Sequence, residues 1–389
     1  MVKKKWKGAG VLLGAASLIG ALLWESQQSS PLPRTSRYGV SCAALQPLDA
    51  SPVLHVYGWV NSFPPDVLAD FEAITGIHVI FDVFDTNELL EAKLLAGNSG
   101  YDIVFPTAWP YFARELQGRV YQPLNKERLQ PFWHLDEEIL QRLENIDPGN
   151  CYAVPYLWGI MGIGLRTRKV KKVLGTLPHS WALVFDPYYA EKLKPLRIEL
   201  CDAPGELIPA ALAFIGKNPE SDSMEDLKMA AAILRQVRPF ITRFNPSGYE
   251  SLASGTASII VGTSGDISRA HRQVEREGQR NDVAFIFPKE GSSLWVDVMA
   301  IPKDALHVNN AHAFISYLLH PRVMAAITVF TMCANTVPSS QRYIAKEIRN
   351  NVLIYPTPST RTRCYIERNM STEYEAARTR VVTKIKSEH

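Results

Sequence analysis

Apolar positions along this chain switch repeatedly between a period of two and a period near 3.6, which predicts strands followed by crossover helices. VIFDVF (Val79 to Phe84) has the β-branched and aromatic content of a strand. ELLEAKLLAG then places apolar residues at helical spacing, with Asn87 as the expected cap and Gly97 as the stop. DIVF predicts a second short strand, and PTAW leaves its carboxyl end, the edge at which open α/β sheets hold ligands. Upstream, LHVYGW (Leu54 to Trp59) predicts a strand that ends in the loop NSFPP. Pro64 and Pro65 suit the first turn of the helix DVLADFEAITG, which Gly76 closes.

The pattern returns in the second half of the chain. A helical section runs from Leu135 to Glu144. DPGNCYAVPYLWGIMGIGL then alternates turn signals with apolar runs, and Pro155, Gly159, Gly162 and Gly164 make it a candidate place where the chain passes between lobes. RIELCDAPGELIPAALAFIG and ASIIVGTSGDISRAHRQV each predict strand, turn and helix. VAFIFPKEGSSLWVDVMAIP predicts paired strands, followed by the helix NAHAFISYLLHP. The expected organisation is a leader over residues 1–24, a linker over 25–51, a first lobe from 52–164 plus 293–330, and a second lobe from 165–292 plus 331–389.

Composition changes this picture only at the N-terminus. Hydrophobic residues at 46% and charged residues at 21% are ordinary for a globular protein. The cationic MVKKKWK precedes the apolar GAGVLLGAASLIGALLW, the order of an export segment, compatible with a cleaved signal or an uncleaved membrane anchor. The polar stretch from Glu25 to about Ser51 is expected to be a tether or a disordered lead-in. Removing Lys3, Lys4, Lys5 and Lys7 takes the net charge from +3 to −1, which gives no electrostatic case for nucleic-acid binding. Cys42, Cys151, Cys201, Cys333 and Cys364 are odd in number and widely spaced. They fit buried, unpaired thiols with at most one bridge, and no pair has metal-site spacing.

Enzyme signatures are absent. The chain has no G-x-S-x-G elbow, P-loop, H-E-x-x-H or C-x-x-C, and GTSGD (Gly262 to Asp266) has the form of an ordinary loop. No catalytic residue, metal or cofactor is expected. What stands out is a set of aromatic, hydroxyl and acidic residues near strand ends: Trp59, Thr107, Trp109, Glu206, Asp266, Trp295 and Asp297. Asp266 suits a helix cap. Asp297, set between Trp295, Val296, Val298 and Met299, requires either an internal Lys or Arg or a cationic ligand, because a buried unpaired carboxylate is costly.

LHVYGW, DVFDTNELLEAKLLAG with YDIVFPTA, VYQPL, PYLWGIMGIG, FPKEGSSLWVDVMAIP and ARTRVVTKIKS together resemble the periplasmic putrescine- and spermidine-binding proteins of bacterial polyamine ABC transporters, in the extracellular solute-binding protein superfamily. The resemblance runs from Leu54 to the C-terminus. It implies an α/β, two-lobed type-II periplasmic binding protein with a ligand cleft between the lobes. It also implies a monomer, located in the periplasm, that hands a small cationic ligand to an ABC permease. Trp59, Thr107, Trp109, Glu206, Asp266, Trp295 and Asp297 fall on pocket positions of that family.

Some positions depart from the family. After the first Trp, Val60, Asn61 and Ser62 replace a small hydroxyl residue, an acid and a Tyr. Thr263 replaces a Trp, and Thr331 or Met332 stands for a Tyr. These changes imply a wider, less anionic pocket at one end, so a polyamine derivative or ω-amino acid is an alternative ligand. Asn61 and Ser62, just before a helix start, are expected to tolerate a carboxylate. A membrane-tethered sensor of the same fold is the alternative of a different class.

Overall fold

A computed structural model describes residues 35–46, 48–129, 132, 134–279, 282–366 and 370–388. The leader therefore lies outside the described residues. Val53–Trp59 alternates partly exposed and buried positions and forms β1. It lies parallel between β2 (His78–Phe84) and β3 (Ile103–Val104). The helices Pro65–Thr75 and Asn87–Leu95 make the crossovers. Gly76 ends the first of them in the left-handed region at φ 73°, where a side chain would be strained. The second is capped by Thr86, whose hydroxyl accepts from the Leu89 amide at 3.3 Å, and not by Asn87.

The passage between lobes is a strand. Ala153–Arg166 forms β4, fourteen residues long and buried throughout. Its first half pairs antiparallel with β9 (Ser292–Ala300), and its second half pairs with β7 (Ile259–Thr263) and β8 (Val283–Ile286). The glycines that predicted turns serve close approach instead. A Cβ at Gly159 would lie 2.6 Å from Trp295 Cζ2, and one at Gly162 2.3 Å from Phe285 Cζ, so only glycine lets these rings cross the strand. β8 and β9 do not pair with each other. They follow one another along β4, at Arg166 to Ile163 and then Ile160 to Ala153, so the chain crosses between lobes a second time.

In the second lobe β5 (Ile198–Cys201) lies parallel between β6 (Ile241–Asn245) and β7. The path through both lobes runs β2-β1-β3-β9-β4-β7-β5-β6. One apolar core gathers Phe63, Phe71, Tyr156, Phe314 and Tyr317 under the first sheet. Another gathers Trp181, Phe185, Leu207 and Leu234 with Tyr374, Val382 and Ile385 of the C-terminal helix Thr372–Ser387.

Two expected boundaries move. Residues 35–46 and 48–51 are not a tether: Val40 and Leu45 enter the first core, and Asp49 accepts from Asn309 Nδ2 at 2.8 Å and the Asn310 amide at 3.0 Å. After residue 331, β10 (Ala334–Asn335) pairs with Leu157 and Trp158 of β4, and Val337 joins the first core. That segment belongs with the first lobe. β11 (Cys364–Tyr365) then pairs with Ser292 and Ser293 of β9 before the chain reaches the second lobe. All five cysteines are free.

Candidate functional site

Strand register brings the expected residues onto one line. Thr107 follows β3 and forms an antiparallel bridge with Asp297 on β9. Side chains alternate along a strand, so Ser293, Trp295 and Asp297 share one face of β9, while Leu294, Val296 and Val298 fill the core behind it. Trp295 is paired with Gly159 of β4, and two residues further along β4 Met161 is paired with Thr263, the last residue of β7. The carboxyl edges of both parallel sheets therefore converge on the crossing strands.

Asp297 holds the least compensated charge in this group. Its Oδ1 accepts from the Thr107 hydroxyl at 2.8 Å. That hydroxyl is aimed by Asn87, whose Nδ2 donates to Thr107 Oγ1 at 3.1 Å and whose Oδ1 accepts from the Thr107 amide at 3.0 Å. With its acceptor side occupied, the Thr107 proton goes to the carboxylate. Among the described residues no Lys, Arg or His pairs with Asp297, so the internal-partner alternative finds no support there. Burial pushes the Asp297 carboxyl up to about 7, and the bond from Thr107 only partly offsets this. Trp295 lies partly exposed beside it, with its indole nitrogen buried and unpartnered, as is that of Trp59.

The second-lobe acid is differently placed. Thr263, not Asp266, caps the helix Ser264–Arg276, its hydroxyl accepting from the Asp266 amide at 3.1 Å. Asp266 Oδ2 accepts from Ser247 at 3.1 Å, and its Oδ1 faces Arg269 Nη1 at 3.7 Å. Burial raises the pKa of Asp266, and the Arg269 charge opposes the rise. The Arg269 guanidinium stacks over Tyr249, 4.4 Å from the ring centre. Glu206, in the first turn of the helix Pro204–Phe214, accepts from the Ser293 hydroxyl.

The first-lobe loop is mixed. Trp59 packs on Phe84 with ring centres 4.5 Å apart. Asn61 is exposed in the left-handed region at φ 59°. Ser62 is buried and spends both donors on the Trp59 carbonyl, the hydroxyl at 2.7 Å and the amide at 3.3 Å. The helix after it opens on Pro64 and Pro65, which have no N–H, so this turn offers a carboxylate less than expected. Trp109 is only 7% exposed and packs in a core with Phe84, Leu90 and Phe112. It backs the Thr107 loop and presents little of its own surface.

The sequence reading missed Asn87 as a partner of Thr107, Arg269 as a partner of Asp266, and Cys333. Cys333 follows Met332, whose backbone is left-handed at φ 58°, and directly precedes Ala334. Burial pushes its thiol up to about 12, with Asp266 and Asp297 adding to the rise and Arg269 opposing it. Its sulfur lies against Gly265, where an added Cβ would come within 2.5 Å of it, so it stands beside the start of the helix that carries Asp266. Ser264 of GTSGD is 1% exposed, with its oxygen 3.5 Å from the Ile160 amide that donates to it. Among the described residues no three His, Cys, Asp or Glu side chains are grouped to hold a metal ion. A separate hollow of about 560 Å³, lined by Ser180, Lys217 and Lys289 among others, contains none of the expected residues.

Residues 108–356 match the family model described as bacterial extracellular solute-binding protein. The chain is 40% identical over 338 residues to the putrescine-binding periplasmic protein SpuD of Pseudomonas aeruginosa, covering 86% of this chain and 92% of that one. It is 38% identical over 338 residues to the putrescine-binding periplasmic protein PotF of Escherichia coli, covering 86% and 91%. Among solved structures, the spermidine/putrescine ABC transporter substrate-binding protein PotD of Streptococcus pneumoniae superposes with a TM-score of 0.72 at 22% identity, covering 86% of this chain and 98% of that one.

Proposed function

As this chain belongs to the bacterial extracellular solute-binding proteins, we propose that it captures a polyamine-type ammonium ligand in the periplasm and delivers it to the permease of an ABC transporter. SpuD and PotF are named for putrescine, which sets the ligand class. The observation that carries the reading is Asp297: an acid with no cationic partner among the described residues, oriented by Thr107 and flanked by Trp295. An ammonium group there gains charge-assisted hydrogen bonds. An indole face adds about 0.5–2 kcal/mol per cation–π contact.

We assign the ammonium anchor to Asp297 and Thr107, and the aromatic walls to Trp59 and Trp295. Glu206, Asp266 and Thr263 serve the opposite side, Asn61 and Ser62 the mouth, and Trp109 supports the loop from behind. The protein works as a monomer whose lobes close on the ligand, and no catalytic step is placed on it. The N-terminal segment serves export, as a removed signal or as a retained tether.

The test is thermal unfolding at pH 8 with and without 1,4-diaminobutane and spermidine. Ligand binds only the native state, so the melting temperature should rise with ligand concentration. In Asp297→Asn the rise should vanish while circular dichroism stays native. An undiminished rise in that variant would remove Asp297 from the site.

A further inference from the structure

We propose that the second end of the cleft selects a neutral amide, so that the preferred ligand is a monoacylated diamine: one ammonium group for Asp297 and one amide for the Asp266–Arg269 pair. This rests on the cation-binding reading above and narrows it. The two acids differ in what already answers their charge. Asp297 has a hydroxyl partner and, among the described residues, no base. Asp266 has Arg269 Nη1 at 3.7 Å and the Ser247 hydroxyl at 3.1 Å. Three residues apart on one helix, Asp266 and Arg269 stay neighbours, and stacking on Tyr249 holds the guanidinium in place. Gly265, beside Asp266, packs so closely on Cys333 that a Cβ there would lie 2.5 Å from the sulfur. Thr263, which caps that helix, ends the register line that starts at Thr107 and Asp297, so the lone acid and the ion pair stand at the two ends of one line across β9 and β4.

Charge decides what the pair accepts. A second ammonium brought to Asp266 meets the fixed charge of Arg269, and a carboxylate brought to Arg269 meets Asp266. A secondary amide meets neither penalty. Its carbonyl accepts from the guanidinium and its N–H donates to Asp266 Oδ1, which stands 3.7 Å from Arg269 Nη1 and so beyond hydrogen-bond length of it. The competing arrangement is a diamine held between Asp297 and Glu206, which lie on either side of Trp295 along β9 through Ser293.

Calorimetry at pH 8 on the full chain with 1,4-diaminobutane, its N-acetyl derivative and 4-aminobutanoate separates these cases. The wild type should bind the N-acetyl derivative at least tenfold more tightly than the other two. Arg269→Gln should narrow that ratio at least tenfold by gaining affinity for the diamine. Arg269→Lys, which keeps the charge, should still discriminate against the diamine, and it serves if the Gln variant folds poorly. A wild-type ratio below tenfold, or a ratio unmoved in Arg269→Gln, overturns the proposal and leaves the cation site standing. If neither these compounds nor spermidine binds the wild type, the cation site itself falls.

Discussion

At the scale of single residues, Asp297 ties binding to protons. Its carboxyl sits near 7 in the empty protein, and an ammonium partner must drive it down. Ligand therefore binds the ionised form, and affinity should fall about tenfold between pH 8 and pH 6, as expected when one proton must leave. Calorimetry across that range checks this; a flat profile would mean the carboxyl is already ionised at pH 6. Stability runs the other way. Because the folded value lies above the unfolded one, the contribution of Asp297 is fully present below about pH 4. It is lost as pH rises through 7. Asp297→Asn should thus stabilise the empty protein at pH 8 by about 1–3 kcal/mol, a gain that shrinks toward pH 4. Thr107→Val removes the bond that favours the charged form. Since a hydrogen bond to a charged group is worth about 1.5–3 kcal/mol, the binding midpoint should move up by about one pH unit or more. Sequence could raise the question of Asp297 but not settle it, because an internal Arg or Lys partner is a fact of three-dimensional neighbourhood. The pairing of Asp266 with Arg269 was closer to legible, since both lie three apart on a helix whose existence the pattern predicted.

At the scale of elements, the crossover units were legible because their two periods contrast sharply and Gly76 and Gly97 punctuate them. The helix start at Thr86 was missed by one position, because Thr86 and Asn87 are both capping types and only the Thr107 contact diverts Asn87. β4 was hidden for another reason. Its glycines exist for rings that lie far away in sequence, and local pattern cannot distinguish that use from a turn. Gly159→Ala tests the close approach. The added carbon must displace Trp295, so it should cost about 1–3 kcal/mol of overpacking. It should also weaken ligand binding and shift the tryptophan emission. Unchanged affinity would separate Trp295 from the site.

At the scale of the whole molecule, two lobes share one path of strands, and several contacts reach across it. Arg272 Nη1 donates to the Val329 carbonyl at 2.9 Å, and Arg114 Nη1 lies 3.9 Å from Glu375 of the C-terminal helix. That helix supplies Tyr374, Val382 and Ile385 to the second core, although it is the last element in the chain. Ile385→Ala should therefore cost about 2–4 kcal/mol in chemical denaturation while leaving the ligand-induced rise in melting temperature intact. A loss below 1 kcal/mol would mean the helix is loosely attached. The lobes were legible as two runs of strand and helix. The return of β10 to the first lobe was not, because a two-residue strand carries no period.

The line from Thr107 through Asp297, Trp295, Gly159 and Met161 to Thr263 also works as a ruler. Its graduations are coarse. A slip of one residue along β9 would turn Asp297 into the core and bring Val296 or Val298 to the cleft, so whole steps come only in twos, roughly 7 Å each. A lineage of this protein facing a ligand one methylene longer has no half-step in the ladder to use. Adaptation must fall on side chains at the strand ends, such as those at positions 60–62, 263 and 331–333, while the crossing strands stay fixed.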